Sequence, residues 1–457
     1  MIGTYTLSNM FPFMPARLIG DDVTFGSVST DTRTVESGDL FIAISGERFD
    51  GNTFVRHAAE KLAAAAIVSK VQDTNIAQLL VADPVQALGW LGHMNRSRSS
   101  ATVVAITGSQ GKTTVKELTG AILSQQFRTL VTRGNLNNSI GAPRMLLEID
   151  AEHERVVIEL GANAQGEIAW GTHITDPHIV LLNNAAETHV EGFGGLEGVV
   201  KGKGEILDSA ESTHTVILNA DDSHVNVWLR RAASRRCVQF SGSGRMSADY
   251  RAANVQILQD GCQFELITPQ GAAPCFLPLP GAHNISNAIA AAALSMEAGA
   301  TLLAVTDALS SVRAVDGRLK SMRGRGGSRL IDDTYNASPS SFRAAVDVLC
   351  QIAQSQSIKS VLIAGDMAEL GDIAQTAHRE LGEYAKSSGV DVLWTVGELS
   401  EGSAKAFGAA ARHFSSKDEL AAYAGSVLSP DHVVLVKGSR SAGMEEIVSK
   451  IKSGESD

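Results

Sequence analysis

The sequence predicts an α/β protein of three domains: a small mixed α/β domain over residues 1–84, a central, mostly parallel P-loop α/β domain over 85–312, and a C-terminal Rossmann-like α/β domain over 313–457. Three observations lead to this prediction. A chain of 457 residues is too long for one core and favours about three domains at ~150 residues each. A β-branched run leads through a glycine-containing loop into a helical pattern at residues 101–118. Strand and helix patterns then alternate along most of the remaining chain, which is typical of parallel sheets.

The composition excludes several classes of protein. With 44% hydrophobic and 19% charged residues, the chain is predicted to be soluble and globular. A net charge of -11 argues against a nucleic-acid partner, because phosphate backbones bind clustered lysine and arginine. The N-terminus lacks a basic region followed by an apolar one, and no run approaches 18 apolar residues, so we expect neither export nor a membrane span.

The cysteines are predicted to be reduced and buried in a cytoplasmic protein. They show neither a CxxC pairing nor metal-ligand spacing. They are Cys237, Cys262, Cys275 and Cys350.

The N-terminal 84 residues combine turn signals with short strands. An extended segment at 39–44 is followed by a helix from about Thr53 and by the strand pattern AAAAIVS. Asp31 and Arg33 flank one turn, and Asp50 lies in a second. A structural role accounts for these turns without any ligand.

The segment 101–118 predicts a phosphate-binding turn. A buried strand at 102–107 ends in a loop of small residues, and Lys112 begins a helix. Glycines let backbone N–H groups point at phosphate oxygens, the helix N-terminus adds positive potential, the lysine reaches the β- and γ-phosphates, and a threonine hydroxyl can bind Mg²⁺. Because Ile106 occupies the first glycine position of the full motif, an ordinary turn with an incidental lysine is the alternative. The flanking strand and helix favour nucleotide binding by Thr107, Gly108, Ser109, Gln110, Gly111, Lys112, Thr113 and Thr114.

Two further strands are expected to bring polar residues to the same sheet edge. Strand 155–162 places Glu159 near its carboxyl end, and strand 177–184 leads to Glu187 and His189. Ligands of open α/β sheets bind outside the carboxyl ends of the strands. Glu159 is predicted to bind Mg²⁺, which prefers oxygen ligands beside phosphates, and a capping or ion-paired carboxylate is the alternative. Imidazole is an uncommon Mg²⁺ ligand, so a hydrogen-bonded surface histidine is the alternative for His189.

Lys201 and Lys203 lie in a glycine-rich segment at 192–207. No strand precedes its glycines, which argues against a dinucleotide fingerprint. The lysines are either a solvated pair, or one of them has a lowered pKa and is modified or catalytic. Asn284 and Asn287 begin an alanine-rich helix, where amides can cap the helix or bind a purine.

The third domain begins at about residue 313. Asp333 lies at a strand exit, before a helix capped near Ser338. The predicted order after that helix is strand, helix, strand, two helices, strand and helix. Two α/β domains joined in this way form a cleft, and Arg318 beside the junction can reach the γ-phosphate when the cleft closes. A surface arginine is the alternative.

The chain resembles the Mur ligases of cell-wall synthesis, because eight segments follow the order found in that family. They are T-G-S-x-G-K-T-T, GNLNNSIGAP, IELGAN, NNAAETHVEGFGG, KGKGEI, GAHNISN, GR and DDTYNASP. TYNASP is similar to the Y-N-A-N-P of the member that adds D-alanyl-D-alanine, although Ser338 departs from the usual asparagine. Folylpolyglutamate synthases share the scaffold, but residues 31–54 look like the uridine-nucleotide domain of the tripeptide- and pentapeptide-forming Mur ligases.

The resemblance implies an ATP-dependent ligase of peptidoglycan precursor synthesis. ATP phosphorylates the terminal carboxylate of a UDP-N-acetylmuramoyl tripeptide, and the amine of D-alanyl-D-alanine attacks the acyl phosphate, which releases phosphate. It implies that residues 1–84 bind the UDP-sugar, 85–312 bind ATP, and 313–457 close over the site and bind the amino substrate. ATP and Mg²⁺ are the implied cofactors, and we expect a cytoplasmic monomer with small-molecule substrates. Another Mur-type ligase, a P-loop small-molecule kinase and an ATP-dependent switch are the alternatives.

The resemblance also implies catalytic and metal-binding roles. By this resemblance, Lys203 is expected to be modified to a carbamate, an anion that helps to hold a second Mg²⁺ together with His189, and Lys201 is the alternative position. Thr113 and Glu159 are the other expected metal ligands. The expected catalytic residues are Lys112, Lys203, His189 and Arg318.

Further positions match the substrate-binding residues of the family. Asn284 and Asn287 are expected to meet adenine, Asp333 the ribose and Arg318 the γ-phosphate. The residues expected near the UDP-sugar and its muramoyl end are Asp31, Arg33, Asp50, Asn135 and Asn138.

Overall fold

The computed structural model describes residues 1–46, 49–188, 190–208, 213–233, 235–258, 261–313 and 316–453. Sheets of five, nine and six strands follow one another along the chain, and a two-stranded sheet accompanies the first. The predicted architecture of three α/β domains is confirmed. The exact domain boundaries stay predictions.

The N-terminal domain is built on a small mixed sheet. Its elements are β1 (Tyr5–Thr6), β2 (Ala16–Ile19), β3 (Thr24–Phe25), β4 (Val28–Ser29), β5 (Leu40–Ile42), α1 (Val55–Glu60), β6 (Ala65–Val68) and β7 (Ala77–Val81). The five-stranded sheet has the order β2-β7-β6-β5-β4, and only β2 is antiparallel to its neighbour. The helix expected from Thr53 begins as a 3₁₀ turn at Gly51–Phe54, because the Asp50 side chain caps it by accepting from the Asn52 N–H at 3.0 Å.

Helix α2 (Pro84–Ser97) leads into the central domain. The Asp83 carboxylate accepts from the Val85 N–H at 2.8 Å, and Pro84 needs no partner in the first turn.

The central sheet places the phosphate-loop strand between two other parallel strands. Its strands are β8 (Thr102–Thr107), β9 (Thr129–Val131), β10 (Arg155–Glu159), β11 (Ile179–Leu182), β12 (Thr215–Asn219), β13 (Arg236–Ser241), β14 (Tyr250–Leu258), β15 (Gly261–Thr268) and β16 (Gly271–Leu277). The order is β16-β15-β14-β13-β12-β11-β8-β10-β9, and only the β14-β15-β16 end is antiparallel. The loops after β8, β10 and β11 therefore open at one edge.

Helices cover both faces of this sheet. They are α3 (Lys112–Leu123), α4 (Gly141–Leu147), α5 (Glu167–Thr175), α6 (Val190–Phe193), α7 (Leu196–Lys203), α8 (Val225–Ala232), α9 (Ala282–Glu297) and α10 (Leu302–Ser311). In β8, Val104 and Ile106 pack with α3, α9 and α10, whereas Val103 and Ala105 pack on the opposite face. Burial on both faces explains why this strand is a continuous apolar run.

The C-terminal domain has a second, mostly parallel sheet. Its elements are β17 (Lys320–Arg323), β18 (Arg329–Asp333), α11 (Pro339–Gln356), β19 (Lys359–Ala364), α12 (Ala374–Ser387), β20 (Val392–Val396), α13 (Glu401–Phe407), β21 (Ala411–Phe414), α14 (Lys417–Val427), β22 (His432–Lys437) and α15 (Glu445–Ile451). The order is β17-β18-β22-β19-β20-β21, with β17 antiparallel. The expectation of two successive helices before β22 was wrong, since β21 lies between them. This edge strand is short and carries Arg412 and His413, so it lacks an apolar pattern.

None of the helices in the described part of the chain has the length and apolar character that a membrane crossing requires.

Candidate active site

A cavity of about 930 Å³ lies between the carboxyl edge of the central sheet and the C-terminal domain. It brings together most of the site residues expected from the sequence. These are Ser109, Gln110, Gly111, Lys112, Thr113, Thr114, Asn135, Asn138, Glu159, Asn284, Asn287, Arg318 and Asp333.

The phosphate loop depends on Gly111. This residue has φ +75°, and a Cβ there would lie 2.3 Å from the Asn287 Oδ1 and 2.6 Å from the Asn183 Nδ2. Only glycine fits this conformation and this space. The loop after β11 supports the turn, because the Asn184 Oδ1 accepts from the Gln110 N–H at 2.8 Å.

The Lys112 ammonium contacts the backbone of the phosphate loop. Its Nζ donates to the Gly108 carbonyl at 2.6 Å and to the Ser109 carbonyl at 3.2 Å. Burial lowers the pKa of Lys112, and the Glu159 carboxylate opposes this effect. A phosphate entering the loop would offer the ammonium a charged acceptor, which is stronger than a neutral carbonyl.

Glu159 presents a buried oxygen that fits a cation. The residue is 1% exposed, and its Oε1 accepts from the Asn137 amide at 2.7 Å and from the Thr113 hydroxyl at 3.3 Å. Its Oε2 is buried and has no hydrogen-bond partner among the described residues. A carboxylate oxygen buried in this way needs compensation.

The oxygens of Glu159 and Thr113 are the ligand types that Mg²⁺ prefers. No group of three or more His, Cys, Asp and Glu forms a metal site within the described ranges. Mg²⁺ commonly takes one or two carboxylates and completes its shell with phosphate oxygens and water.

Arg318 crosses from the C-terminal domain to the phosphate loop. Its Nη2 donates to the Thr113 hydroxyl at 3.0 Å, and the guanidinium carbon lies 4.2 Å from the centroid of the Tyr335 ring. Its Nε is buried and has no hydrogen-bond partner in the described part of the chain. The guanidinium thus lies beside Thr113, where a γ-phosphate is expected.

Amide side chains are linked at the start of α9. The Asn284 Nδ2 donates to the Pro280 carbonyl at 2.7 Å, and the Asn287 Nδ2 donates to the Asn284 Oδ1 at 3.3 Å. The Asn183 Nδ2 lies 3.4 Å from the Asn287 Oδ1. The amides therefore stabilise the helix start and also line the cavity.

Asp333 is held by a buried lysine from a neighbouring strand. Its Oδ2 lies 2.6 Å from the Lys437 Nζ, and its Oδ1 accepts from the Leu319 N–H at 3.3 Å. Lys437 also donates to the Asn336 carbonyl at 3.0 Å. These contacts fix the carboxylate at the cavity wall.

Lys203 is the buried member of the lysine pair. It is 1% exposed, its Nζ donates to the Ala162 carbonyl at 3.1 Å, and the ring centroid of Phe193 lies 5.0 Å away. Burial and, secondly, the Lys112 charge lower the pKa of Lys203 to about 7. Lys201, on the same helix, is exposed.

Three family models match the chain along its length. The Mur ligase family catalytic domain matches residues 24–92, the Mur ligase middle domain matches 106–295, and the Mur ligase glutamate ligase domain matches 317–440. The chain belongs to the Mur ligase family.

Relatives of this Mur ligase are similar over nearly their whole length. The UDP-N-acetylmuramoyl-tripeptide–D-alanyl-D-alanine ligase of Escherichia coli K12 is 44% identical over 97% of each chain, and that of Haemophilus influenzae is 38% identical over 96% of each. A crystal structure of MurF from Acinetobacter baumannii has a TM-score of 0.91, with 34% identity over 98% of each chain. MurF from Thermotoga maritima in complex with ADP has a TM-score of 0.81 and is 26% identical, covering 93% of this chain and 96% of that chain.

Several expected site residues of this Mur ligase lie apart from the cavity. Asp31 and Arg33 form an exposed ion pair of 2.6 Å, and Arg33 lowers the pKa of Asp31 to about 2. They and Asp50 are not among the residues that line the cavity. The Thr107 hydroxyl donates to the Leu160 carbonyl at 2.8 Å, which directs it into the sheet. His189 lies outside the described residues.

Other cavity residues were not singled out from the sequence. Asn137 lies between the expected Asn135 and Asn138, but only its contact with Glu159 shows a role in holding that carboxylate. Asn183 and Asn184 directly follow β11, so their position at a strand exit was a usable signal. Lys437 ends β22, but its pairing with Asp333 joins residues far apart in the sequence.

Proposed function

We propose that this Mur ligase joins D-alanyl-D-alanine to a UDP-N-acetylmuramoyl tripeptide in an ATP-dependent reaction of peptidoglycan precursor synthesis. The observation that carries the proposal is the meeting of two domains at Thr113. The Thr113 hydroxyl contacts Glu159 from the central sheet and Arg318 from the C-terminal domain, 3.3 and 3.0 Å away. Similarity to ligases of this name over nearly the whole chain supports the choice of substrates.

The proposed reaction has two steps. A carboxylate oxygen of the tripeptide attacks the γ-phosphorus of ATP, and the bond from this phosphorus to ADP breaks, which gives an acyl phosphate. The free amine of the dipeptide then attacks the acyl carbon, and the tetrahedral intermediate releases phosphate while the nitrogen loses a proton. Both steps bring anions together. Lys112, Arg318 and the N-terminus of α3 offset that charge by position and electrostatics.

Thr113 and Glu159 are the ligands that we propose for Mg²⁺, which supplies positive charge beside the phosphates when it is bound. We propose that Lys203 carries a carbamate, which adds a carboxylate-like group for a second Mg²⁺ together with His189. A buried amine with a pKa near 7 has a substantial neutral fraction at physiological pH, and the neutral form is the one that reacts with carbon dioxide.

We also propose which residues contact the nucleotide and the UDP-sugar substrate. Asn284 and Asn287 contact adenine and Asp333 the ribose. The residues proposed for the UDP-sugar and its muramoyl end are Asp31, Arg33, Asp50, Asn135 and Asn138. We also propose a monomer that works in the cytoplasm.

Phosphate release tests the proposed function. We expect phosphate only when ATP, the UDP-tripeptide and D-alanyl-D-alanine are all present, with one phosphate per amide bond. A kinase would form a stable phosphorylated product without free phosphate, and a switch would release phosphate without the dipeptide. A panel of amino acids and dipeptides in the same assay separates this function from that of another Mur-type ligase.

Glu159→Gln is expected to raise the Mg²⁺ concentration for half-maximal activity by about tenfold or more. Glutamine keeps the shape of the side chain but removes the charge of the partnerless Oε2. Mg²⁺ titrations of phosphate release check this. Glu148→Gln, which removes a partly exposed carboxylate paired with Arg133, should leave the Mg²⁺ dependence unchanged. An unchanged Mg²⁺ dependence in Glu159→Gln would contradict the assignment.

A further inference from the structure

Five lysine and arginine residues of the described chain line the cavity, and three of them contact other residues of the site. Lys112 contacts the loop carbonyls, Arg318 contacts Thr113, and Lys437 is paired with Asp333. Arg313 and Arg440 are left. The reaction proposed above needs a further cation, because the dipeptide brings a carboxylate that does not react.

Arg440 follows the exit of β22, which backbone hydrogen bonds join to the exit of the neighbouring strand β19. It begins a 3₁₀ turn, Arg440–Ala442, just after β22. The exits of β22 and β19 are tied together, since the Ser439 N–H donates to the Asp366 carbonyl at 2.9 Å and the Gly365 N–H donates to the Lys437 carbonyl at 2.8 Å. The crevice outside the carboxyl ends of parallel strands is the usual ligand position in such sheets.

The Arg440 guanidinium keeps donors for a ligand. Within the described residues, its Nη1 forms an ion pair with the Glu445 Oε1 at 3.5 Å, between side chains that are 69% and 46% exposed. Exposed pairs of this kind are weak. A guanidinium has five N–H donors in a planar fork, which matches the two oxygens of a carboxylate.

The position of Arg440 suits a negatively charged ligand group that must be kept away from the phosphates of ATP. A peptide carboxylate is ionised at neutral pH, and the reaction centre already holds the phosphates of ATP and a second carboxylate. Anchoring the far end of the dipeptide on the C-terminal domain leaves its amine free to reach the acyl carbon.

We propose that Arg440 binds the C-terminal carboxylate of the incoming dipeptide and so selects an acceptor with a free carboxylate. This inference rests on the proposed function. The rival cation, Arg313, follows α10, which packs on α9 with Asn284 and Asn287. It therefore lies toward the end of the cavity proposed for the adenine.

Comparing D-alanyl-D-alanine with its C-terminal amide tests the proposal directly. The amide keeps the reacting amine and lacks only the charge that Arg440 would bind. In the wild-type enzyme we expect the KM for the amide to exceed the KM for the dipeptide by about tenfold or more. Arg440→Gln should raise the dipeptide KM by a similar factor, leave kcat within a few fold, and make the two acceptors nearly equal. Arg440→Lys should keep part of the preference, because a point charge replaces the fork.

Two matched variants complete the experiment. Arg379→Gln removes an exposed arginine with a weak pair to Glu383 at 3.9 Å and should keep the preference for the free carboxylate. Retention of that preference in Arg440→Gln, or its loss in Arg313→Gln instead, overturns the proposal. These results require a working ligase, whereas absence of dipeptide-dependent phosphate release from the wild-type enzyme would refute the proposed function itself. Circular dichroism of each variant excludes loss of folding as the cause.

Discussion

Lys112→Ala is expected to reduce the rate of ligation by about a hundredfold to a thousandfold while the protein remains folded. The ammonium lies 2.6 Å from the Gly108 carbonyl, at the point where the loop is expected to surround the phosphates. Alanine removes the only charge that the loop itself contributes, so the developing negative charge in both steps loses a nearby counterion. The half-buried side chain contacts loop carbonyls and adds little to the core, which is why folding should persist.

Steady-state phosphate release and thermal unfolding measure the two parts of this expectation. Lys201→Ala is the matched control, because Lys201 is exposed and lies outside the loop. The control should keep turnover near that of the wild type. If Lys112→Ala also turned over within a few fold of the wild type, its assigned role would be wrong. A large fall in Tm would mean that the lysine is structural.

The sequence allowed the central architecture to be predicted because its signals are local. The β-branched run at 102–107 was found as β8 with the predicted bounds, and α3 begins at Lys112 as predicted. Because ligands bind outside the carboxyl ends of parallel strands, the end of the strand that carries Glu159 was expected beside the phosphate loop. In the structure, β10 pairs with β8. Hydrophobic periodicity and glycine position suffice for such features.

The remaining parts of the site depend on contacts between distant residues. The Arg318 contact with Thr113 spans 205 positions, and the Asp333 contact with Lys437 spans 104. No periodicity encodes such pairs. Likewise, the sequence showed two lysines at 201 and 203 but not their burial, which follows from how α7 packs on the sheet. The short edge strand β21 was missed because its exposed charged residues hide the pattern.

Lys203→Ala is expected to lose about a hundredfold or more of the ligation rate and to regain part of it with a small carboxylate such as acetate. The wild-type amine is buried beside Phe193 and the Ala162 carbonyl. Truncation leaves space in that position, and acetate can place there the carboxylate that we propose a carbamate provides. Chloride at the same ionic strength should not rescue the variant, and Lys201→Ala should need no rescue.

The pKa of Lys203 gives this prediction a pH signature. Carbamate formation needs the neutral amine, whose nitrogen attacks carbon dioxide and loses a proton. Because the pKa of Lys203 is lowered to about 7, the neutral fraction rises as the pH increases through that value and falls below it. At limiting carbon dioxide, wild-type activity should therefore decline below about pH 7. The activity of Lys203→Ala in the presence of acetate should not show this decline.

Carbon-13 NMR with labelled carbon dioxide should show a carbamate signal in the wild type and in Lys201→Ala but not in Lys203→Ala. A signal that disappears in Lys201→Ala instead would assign the modification to the exposed lysine, and the lowered pKa of its buried neighbour would then reflect packing alone.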